Sequence, residues 1–242
     1  GPLEDARPPP ERRPRPRGRL GAGMGGRQGQ ERWGGKAPVP GHRLEVAPPQ
    51  RKQLLLETEP AASTITVRGV LDDEECRAVI AAAESVGLEL QTSRGPMFGE
   101  AERHHKRASF DDPEFAAALW AGGLDTALAE LRVGRRRPVG LNANIRVYQY
   151  VPGDVFGQHV DGSNKTAQGR TEYTLLVYLT GAKEGLAGGE TAFYSGGREL
   201  VRIEPVAGSA LLHRHGEACL LHEALAVQAG VKYVLRSDVV FA

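Results

Sequence analysis

Short apolar segments separated by glycine and proline constrain most strongly how this chain can fold. Residues 145–150 alternate β-branched or aromatic residues with polar ones, and residues 173–180 and 231–241 are longer runs of similar composition. Turn-forming residues lie between these segments, as at 151–154 and 188–189. Many short strands with such turns are typical of a β-sandwich or jelly roll, whose interior can hold a ligand.

Two histidines and one aspartate occupy positions in this pattern that can converge on a metal ion. His159 and Asp161 are two residues apart, so an extended backbone projects both to one side, while His222 lies in a later strand-like segment. Two imidazoles and one carboxylate that leave positions open suit ferrous iron, whereas a structural zinc site needs a fourth ligand. We therefore predict a metal site formed by His159, Asp161 and His222.

Other histidines offer an alternative. His213 and His215 could join His222 in an all-histidine site, but that arrangement leaves Asp161 without a role. His104 and His105 lie in a polar, charged stretch, residues 92–110, which we interpret as an exposed loop of the kind that often covers an active site.

The order and spacing of these segments resemble the prolyl 4-hydroxylase-like branch of the Fe(II)/2-oxoglutarate dioxygenases. The similarity extends over about 180 residues, from near Thr64 to the end of the chain. It rests on Tyr150, Val151, Pro152 and Gly153 with His159 and Asp161, on residues 173–180, 188–193 and 205–210, and on His222 with Val227, Gly230 and Lys232.

The resemblance implies an α+β fold with a double-stranded β-helix (jelly roll) core braced by N-terminal helices. It also implies that His159, Asp161 and His222 bind Fe(II), with 2-oxoglutarate and O₂ as cosubstrates and ascorbate (vitamin C) as reductant. The implied reaction hydroxylates a C–H bond and releases succinate and CO₂. Iron and its cosubstrate supply the difficult chemistry in such enzymes, and the protein supplies the geometry.

The same resemblance assigns residues to the cosubstrate. Lys232, ten residues after His222, matches the basic residue that pairs with the C5 carboxylate of 2-oxoglutarate, and Tyr150 and Tyr178 match positions that hydrogen-bond it. Arg236 projects to the same side of a strand as Lys232. Either cation could therefore hold the carboxylate. We expect Lys232 to hold it, with Arg236 as a second contact to 2-oxoglutarate, the partner of a buried acid, or a solvated cation at a strand end.

The substrate is left open by the sequence. Prolyl hydroxylases of this type usually have tyrosine and tryptophan where this chain has Phe156 and Tyr233, which argues against peptidyl proline. Our leading expectation is a protein or peptide side chain. A small-molecule oxygenase and a nucleic-acid oxygenase guided by a basic tail are the alternatives.

The basic tail is indicated by a change in composition near residue 60. Residues 1–50 contain ten Lys or Arg against five acids, so they carry +5 in a chain of net charge +1. We predict a disordered Pro/Gly/Arg-rich tail over residues 1–60 and a dioxygenase domain over residues 61–242. The tail could attract nucleic acid or serve as an organellar leader.

Before the metal motif, the sequence predicts two helices that would brace the barrel. Asp72 is a plausible N-cap for a helix that ends near Ser85, and Pro113 begins a second helix that ends near Trp120.

Cys76 and Cys219 lie in apolar patterns and are expected to be buried free thiols, which suits a reducing intracellular compartment. No apolar run is long enough for a membrane span, so we expect a soluble protein.

Overall fold

The structure, a computed structural model, describes residues 42–59 and 61–242. Within these residues the chain forms helices α1 (Asp73–Val86), α2 (Pro113–Leu119) and α3 (Asp125–Ala127), and fifteen strands. In chain order the strands are β1 (Leu55–Glu59), β2 (Thr64–Arg68), β3 (Glu89–Thr92), β4 (Arg103–Asp111), β5 (Pro138–Leu141), β6 (Asn144–Tyr150), β7 (Val155–His159), β8 (Arg170–Tyr178), β9 (Ala187–Gly188), β10 (Thr191–Ser195), β11 (Arg198–Ile203), β12 (Ala210–Arg214), β13 (Leu221–Ala224), β14 (Val227–Ala229) and β15 (Lys232–Phe241).

Thirteen of these strands form one continuous antiparallel sheet in the order β1-β2-β12-β8-β15-β6-β4-β7-β13-β10-β11, with β3 added to β4 and β5 to β15. The other two described strands, β9 and β14, pair with each other. Strand β15 has β8 on one side and β6 on the other. Strand β4 pairs with both β6 and β7, which links the two halves of the sheet. The predicted jelly-roll core is confirmed.

All ten residues of β15 are buried, because both faces of this strand are covered. Leu235, Val239 and Phe241 belong to the apolar core that also contains buried residues of α1 and α2. Val234 belongs to a second apolar cluster on the opposite face, inside the barrel. The alternation along a strand therefore sends Lys232, Val234 and Arg236 to the interior.

The two predicted helices are confirmed. Asp72 caps α1, because its carboxylate accepts the backbone N–H groups of Glu74 and Glu75 at 3.0 and 2.9 Å, and Glu75 accepts the N–H of Asp72 in return. Asp112 caps α2 by accepting the N–H of Phe115 at 2.9 Å. Such reciprocal capping satisfies backbone donors that have no partner within the helix.

Residues 42–59, which composition assigns to the tail, contact the domain. Strand β1 pairs along its length with β2, and Leu44 is buried with its backbone N–H donating to Asp112 at 2.9 Å. These contacts are long-range, so composition alone does not reveal them. The rest of the predicted tail, residues 1–41, and residue 60 lie outside the described residues. No helix in the described part of the chain is long and apolar enough to cross a membrane.

The loop predicted at residues 92–110 is wrong from Arg103 onward, because Arg103–Asp111 forms strand β4. His104 is exposed as expected, but His105 is only 1% exposed and packs against Tyr148 and Tyr150. A strand places successive side chains on opposite faces, so two adjacent histidines in a polar segment have opposite environments. Burial lowers the pKa of His105 to about 3.

Gly208, in the connection before β12, packs closely against the segment that leads into α1. Gly208 has φ +77°, and a Cβ atom there would lie 2.1 Å from the carbonyl oxygen of Leu71. Gly69 has the same φ, but its Cβ would meet no atom within 4 Å. We expect Gly69→Ala to cost about 1–2 kcal/mol from backbone strain alone, and Gly208→Ala to cost roughly 1–3 kcal/mol more from overpacking. Chemical denaturation measures both, and equal losses would contradict the contact.

Candidate metal and cosubstrate site

His159 and His222 lie directly opposite each other on the antiparallel pair β7 and β13. Asp161 follows two residues after His159, just beyond the end of β7. One potential ligand atom from each of these three residues lies within 4.8 Å of the other two, and all three side chains are buried. The tertiary structure therefore brings together the residues that the sequence singled out.

Backbone carbonyls orient both imidazoles. The Nδ1 atom of His159 is 2.8 Å from the carbonyl oxygen of Gly157, and that of His222 is 2.9 Å from the carbonyl oxygen of Leu220. With the proton on Nδ1, the lone pair of each Nε2 is available to a metal. Burial lowers the pKa of both histidines, that of His159 to about 3, so both are neutral, the form that binds metals.

Asp161 is the charged centre of the site. The hydroxyl of Thr174 donates to its Oδ2 at 2.6 Å, and a guanidinium nitrogen of Arg236 lies 3.1 Å from the same oxygen. Burial opposes ionisation of Asp161, but Arg236 and the nearby histidines outweigh it and hold its pKa well below the usual value. Oδ1 is buried without a hydrogen-bond partner among the described residues. Two neutral imidazoles and a carboxylate with an unused oxygen are a donor set that fits iron(II).

Arg236 lies among buried acids. Besides Asp161, it is 3.5 Å from a carboxylate oxygen of Asp238, which in turn lies 3.6 Å from Nε2 of His215. Of the roles that the sequence left open for Arg236, its contacts fit that of a partner for buried acids. Thr174 and Asp238 were not predicted from the sequence. A threonine and an aspartate within otherwise apolar strand segments were the available signals.

Lys232 is buried at the other end of the same face of β15. Its side chain is fully inside, the residue being 2% exposed, and its Nζ donates to the carbonyl oxygen of Gly189 at 2.6 Å. Nζ lies 5.3 and 5.7 Å from the ring centroids of Tyr150 and Tyr178. Burial lowers the pKa of Lys232 to about 8. A buried ammonium group is costly unless an anion compensates it.

The metal-binding candidates and Lys232 line one cavity of about 40 Å³. Its walls are Tyr148, Tyr150, Phe156, His159, Asp161, Thr174, Leu176, Thr191, His213, His222, Glu223, Ala224, Lys232, Val234 and Arg236. Tyr178 is next to this cavity, and its hydroxyl is 2.8 Å from that of Thr191, a lining residue. The predicted metal and cosubstrate residues thus surround a single space inside the barrel.

The all-histidine alternative is not assembled in the described part of the chain. His213 faces the cavity, but His215 is hydrogen-bonded through Nε2 to the hydroxyl of Thr174 at 2.7 Å. The other group of potential ligands consists of His213, Cys219 and His222. Cys76 and Cys219 are free thiols, as expected, although Cys219 is only partly buried.

The two residues that depart from the prolyl hydroxylase pattern have different surroundings. Phe156 lines the cavity and stacks on His159 with 3.7 Å between ring centroids. Tyr233 points away from the cavity into the core beneath the helices, where its hydroxyl is hydrogen-bonded to Glu84 and Gln149. Only the substitution at Phe156 therefore alters the lining of the candidate site.

Comparisons with known proteins agree with this geometry. Residues 145–237 match the model of the 2OG-Fe(II) oxygenase superfamily, and this range contains His159, Asp161, His222 and Lys232. No curated protein matches the chain in sequence.

Two solved structures illustrate the likeness of fold. The viral collagen prolyl hydroxylase of Paramecium bursaria Chlorella virus-1, in its 2OG complex, is 21% identical with a TM-score of 0.52, over 74% of this chain and 96% of that one. A prolyl hydroxylase from Trichoplax adhaerens, in complex with a hypoxia inducible factor peptide fragment, is 17% identical with a TM-score of 0.53, over 74% and 84%.

Over residues 145–237 the chain is similar to the 2OG-Fe(II) oxygenases, which are oxidoreductases. Its fold is the jelly roll of the prolyl hydroxylases. Fe(II), 2-oxoglutarate and O₂ are the cofactor and cosubstrates of this family.

Proposed function

We propose that the chain hydroxylates a C–H bond with conversion of 2-oxoglutarate to succinate and CO₂, and that His159, Asp161 and His222 hold the iron. The observation that carries this proposal is the convergence of two neutral imidazoles and one ionised carboxylate on the wall of one cavity. The three donors leave positions for the cosubstrates, as an iron oxygenase requires.

In this proposal Lys232 binds the C5 carboxylate of 2-oxoglutarate. Its buried ammonium group lies on the same face of β15 as Arg236 and is close to Tyr150 and Tyr178, which would hydrogen-bond the same cosubstrate. Arg236 instead holds Asp161, because its guanidinium lies 3.1 Å from that carboxylate. The two cations of the strand therefore have separate roles.

Iron supplies the activation of O₂ when it is bound, and the residues of the chain supply the environment. Thr174 and Arg236 keep Asp161 ionised and oriented. The carbonyls of Gly157 and Leu220 hold the protons of the two imidazoles on Nδ1. Phe156, Leu176 and Val234 are apolar walls that exclude water from the reacting C–H bond.

We further propose a protein or peptide side chain as the substrate. The Trichoplax prolyl hydroxylase, which has a similar fold, is in complex with a peptide fragment, and this supports a peptide substrate. In the present chain the guanidinium of the partly exposed Arg103 lies 4.5 Å from the ring centroid of Phe156, which lines the cavity and stacks on His159. A substrate backbone or acidic group could contact Arg103 while its side chain reaches the cavity.

Turnover of 2-oxoglutarate tests the reaction. Purified protein supplied with Fe(II), ascorbate and 2-oxoglutarate should form succinate, and a peptide library should reveal products that have gained one oxygen atom. His159→Ala should reduce succinate to background, since an iron ligand is lost, while His42→Ala, an exposed histidine, should not. Absence of succinate from the wild type, or equal succinate from His159→Ala, would contradict the proposal.

A further inference from the structure

His213 is a third imidazole at the candidate iron site, on a strand that supplies none of the other ligands. It belongs to β12, where it pairs with Thr174 of β8, the residue that hydrogen-bonds Asp161. Its Nε2 lies 3.6 Å from Oδ2 of Asp161, close to the 3.7 Å that separates Nε2 of His222 from the same oxygen. The rings of His213 and His222 are 4.3 Å apart, as are those of His159 and His222.

Like the two candidate ligands, His213 has a backbone carbonyl oxygen near its Nδ1, although at a longer distance. Its Nδ1 is 3.4 Å from the carbonyl oxygen of Arg214, which places the ring proton on Nδ1 as in His159 and His222. Its Nε2 is buried and has no hydrogen-bond partner in the part of the chain that the structure describes. The side chain is only 3% exposed.

This arrangement is unfavourable without a cation. The lone pairs of three imidazole nitrogens face an ionised carboxylate across distances of 3.6 to 4.0 Å, too long for direct hydrogen bonds. Buried polar atoms that lack partners are costly, and buried clusters of this kind are commonly satisfied by a metal. Arg236 does not fill the gap between the imidazoles, because its guanidinium approaches Asp161 at the oxygen that Thr174 also contacts.

We infer that His213 is a further metal ligand of this chain, so that the metal centre is built from three histidines and one aspartate. This inference rests on the proposed function, since it concerns the same metal. Four protein donors leave two of six positions on the metal. Because 2-oxoglutarate binds through two atoms and O₂ needs one more position, His213 holds the metal in the absence of 2-oxoglutarate and competes with the cosubstrate.

Binding of Co²⁺ as a coloured substitute for Fe²⁺ tests the inference in the full chain. His213→Phe should weaken Co²⁺ binding by roughly 10- to 100-fold, the range for disturbing a metal-ligand shell, and should change the visible spectrum of the bound ion. His213→Gln keeps a polar side chain but no imidazole and should show the same loss. His105→Phe removes an equally buried histidine that is not among the four proposed ligands and does not line the cavity, and it should bind Co²⁺ within about twofold of the wild type.

Titration with 2-oxoglutarate separates a metal ligand from a cosubstrate contact. The Co²⁺-loaded His213→Phe protein should bind 2-oxoglutarate at least as tightly as the wild type, because the competing imidazole is gone. Unchanged Co²⁺ affinity and spectrum in both His213 variants, or weakened 2-oxoglutarate binding with unchanged metal binding, would overturn the inference while the proposed function stands. A wild-type chain that binds no Co²⁺ or Fe²⁺, or whose binding survives His159→Ala, would overturn both.

Discussion

Asp161→Ala is expected to abolish metal binding and succinate formation and also to destabilise the metal-free protein. Asp161 supplies the only carboxylate in the candidate iron site of the described residues, and it is also the closest partner of the buried Arg236. Removing one partner of a buried ion pair costs about 3–5 kcal/mol when the other charge is left uncompensated. Because Asp238 remains 3.5 Å from Arg236, we expect a loss near the lower end, about 3 kcal/mol. Urea denaturation in the presence of a chelator measures it.

A double variant separates the two roles of Asp161. Arg236→Met alone leaves Asp161 and Asp238 buried together without their cation and should be strongly destabilising. In Asp161→Ala/Arg236→Met both partners of the closest pair are removed and only Asp238 loses its cation, so the stability loss should be smaller than the sum of the single losses. Metal binding should stay absent. Additive losses would show that Asp161 and Arg236 do not interact, and recovered metal binding would exclude Asp161 as a ligand.

Lys232→Ala is expected to weaken binding of 2-oxoglutarate by about 30-fold or more, while metal binding is unchanged. Truncating one partner of a buried charge pair costs about 2–5 kcal/mol, and each 1.4 kcal/mol is tenfold in affinity. Calorimetric titration of the Co²⁺-loaded protein with 2-oxoglutarate measures the change. Lys232→Arg is the matched variant, because it keeps the charge on the same face of β15. An alanine variant with wild-type affinity would refute the role of Lys232.

The same lysine should make 2-oxoglutarate binding depend on pH. Burial lowers the pKa of Lys232 to about 8 in the free protein, and only the protonated amine pairs with a carboxylate. Affinity should therefore be constant below that pKa and fall above it, by about tenfold at pH 9 relative to pH 7. In Lys232→Arg the decline should be absent, because arginine stays charged throughout this range. A parallel decline in both proteins would assign the pH dependence to another group.

Much of the fold was predictable because local patterns and tertiary structure agree. The alternation in residues 145–150, the apolar run at 173–180 and the caps at Asp72 and Asp112 specify strands and helices that the structure contains. Residues 103–111 were not predictable in this way. Charged residues lie on both faces of β4, and His105, Ala108 and Phe110 are buried because β4 pairs with distant strands.

The candidate site, like the fold, was predictable from the sequence only in part. The sequence by itself determined which residues have the chemistry for it: the spacing of His159 and Asp161, the later His222, and two cations on one face of the last strand. Only the tertiary structure decided what those residues contact. Arg236 meets Asp161, Thr174 and Asp238 inside the barrel, Lys232 is buried beside Tyr150, and His213 faces His222 across the cavity. These contacts depend on strand pairings between segments far apart in the chain, and no local pattern encodes such register.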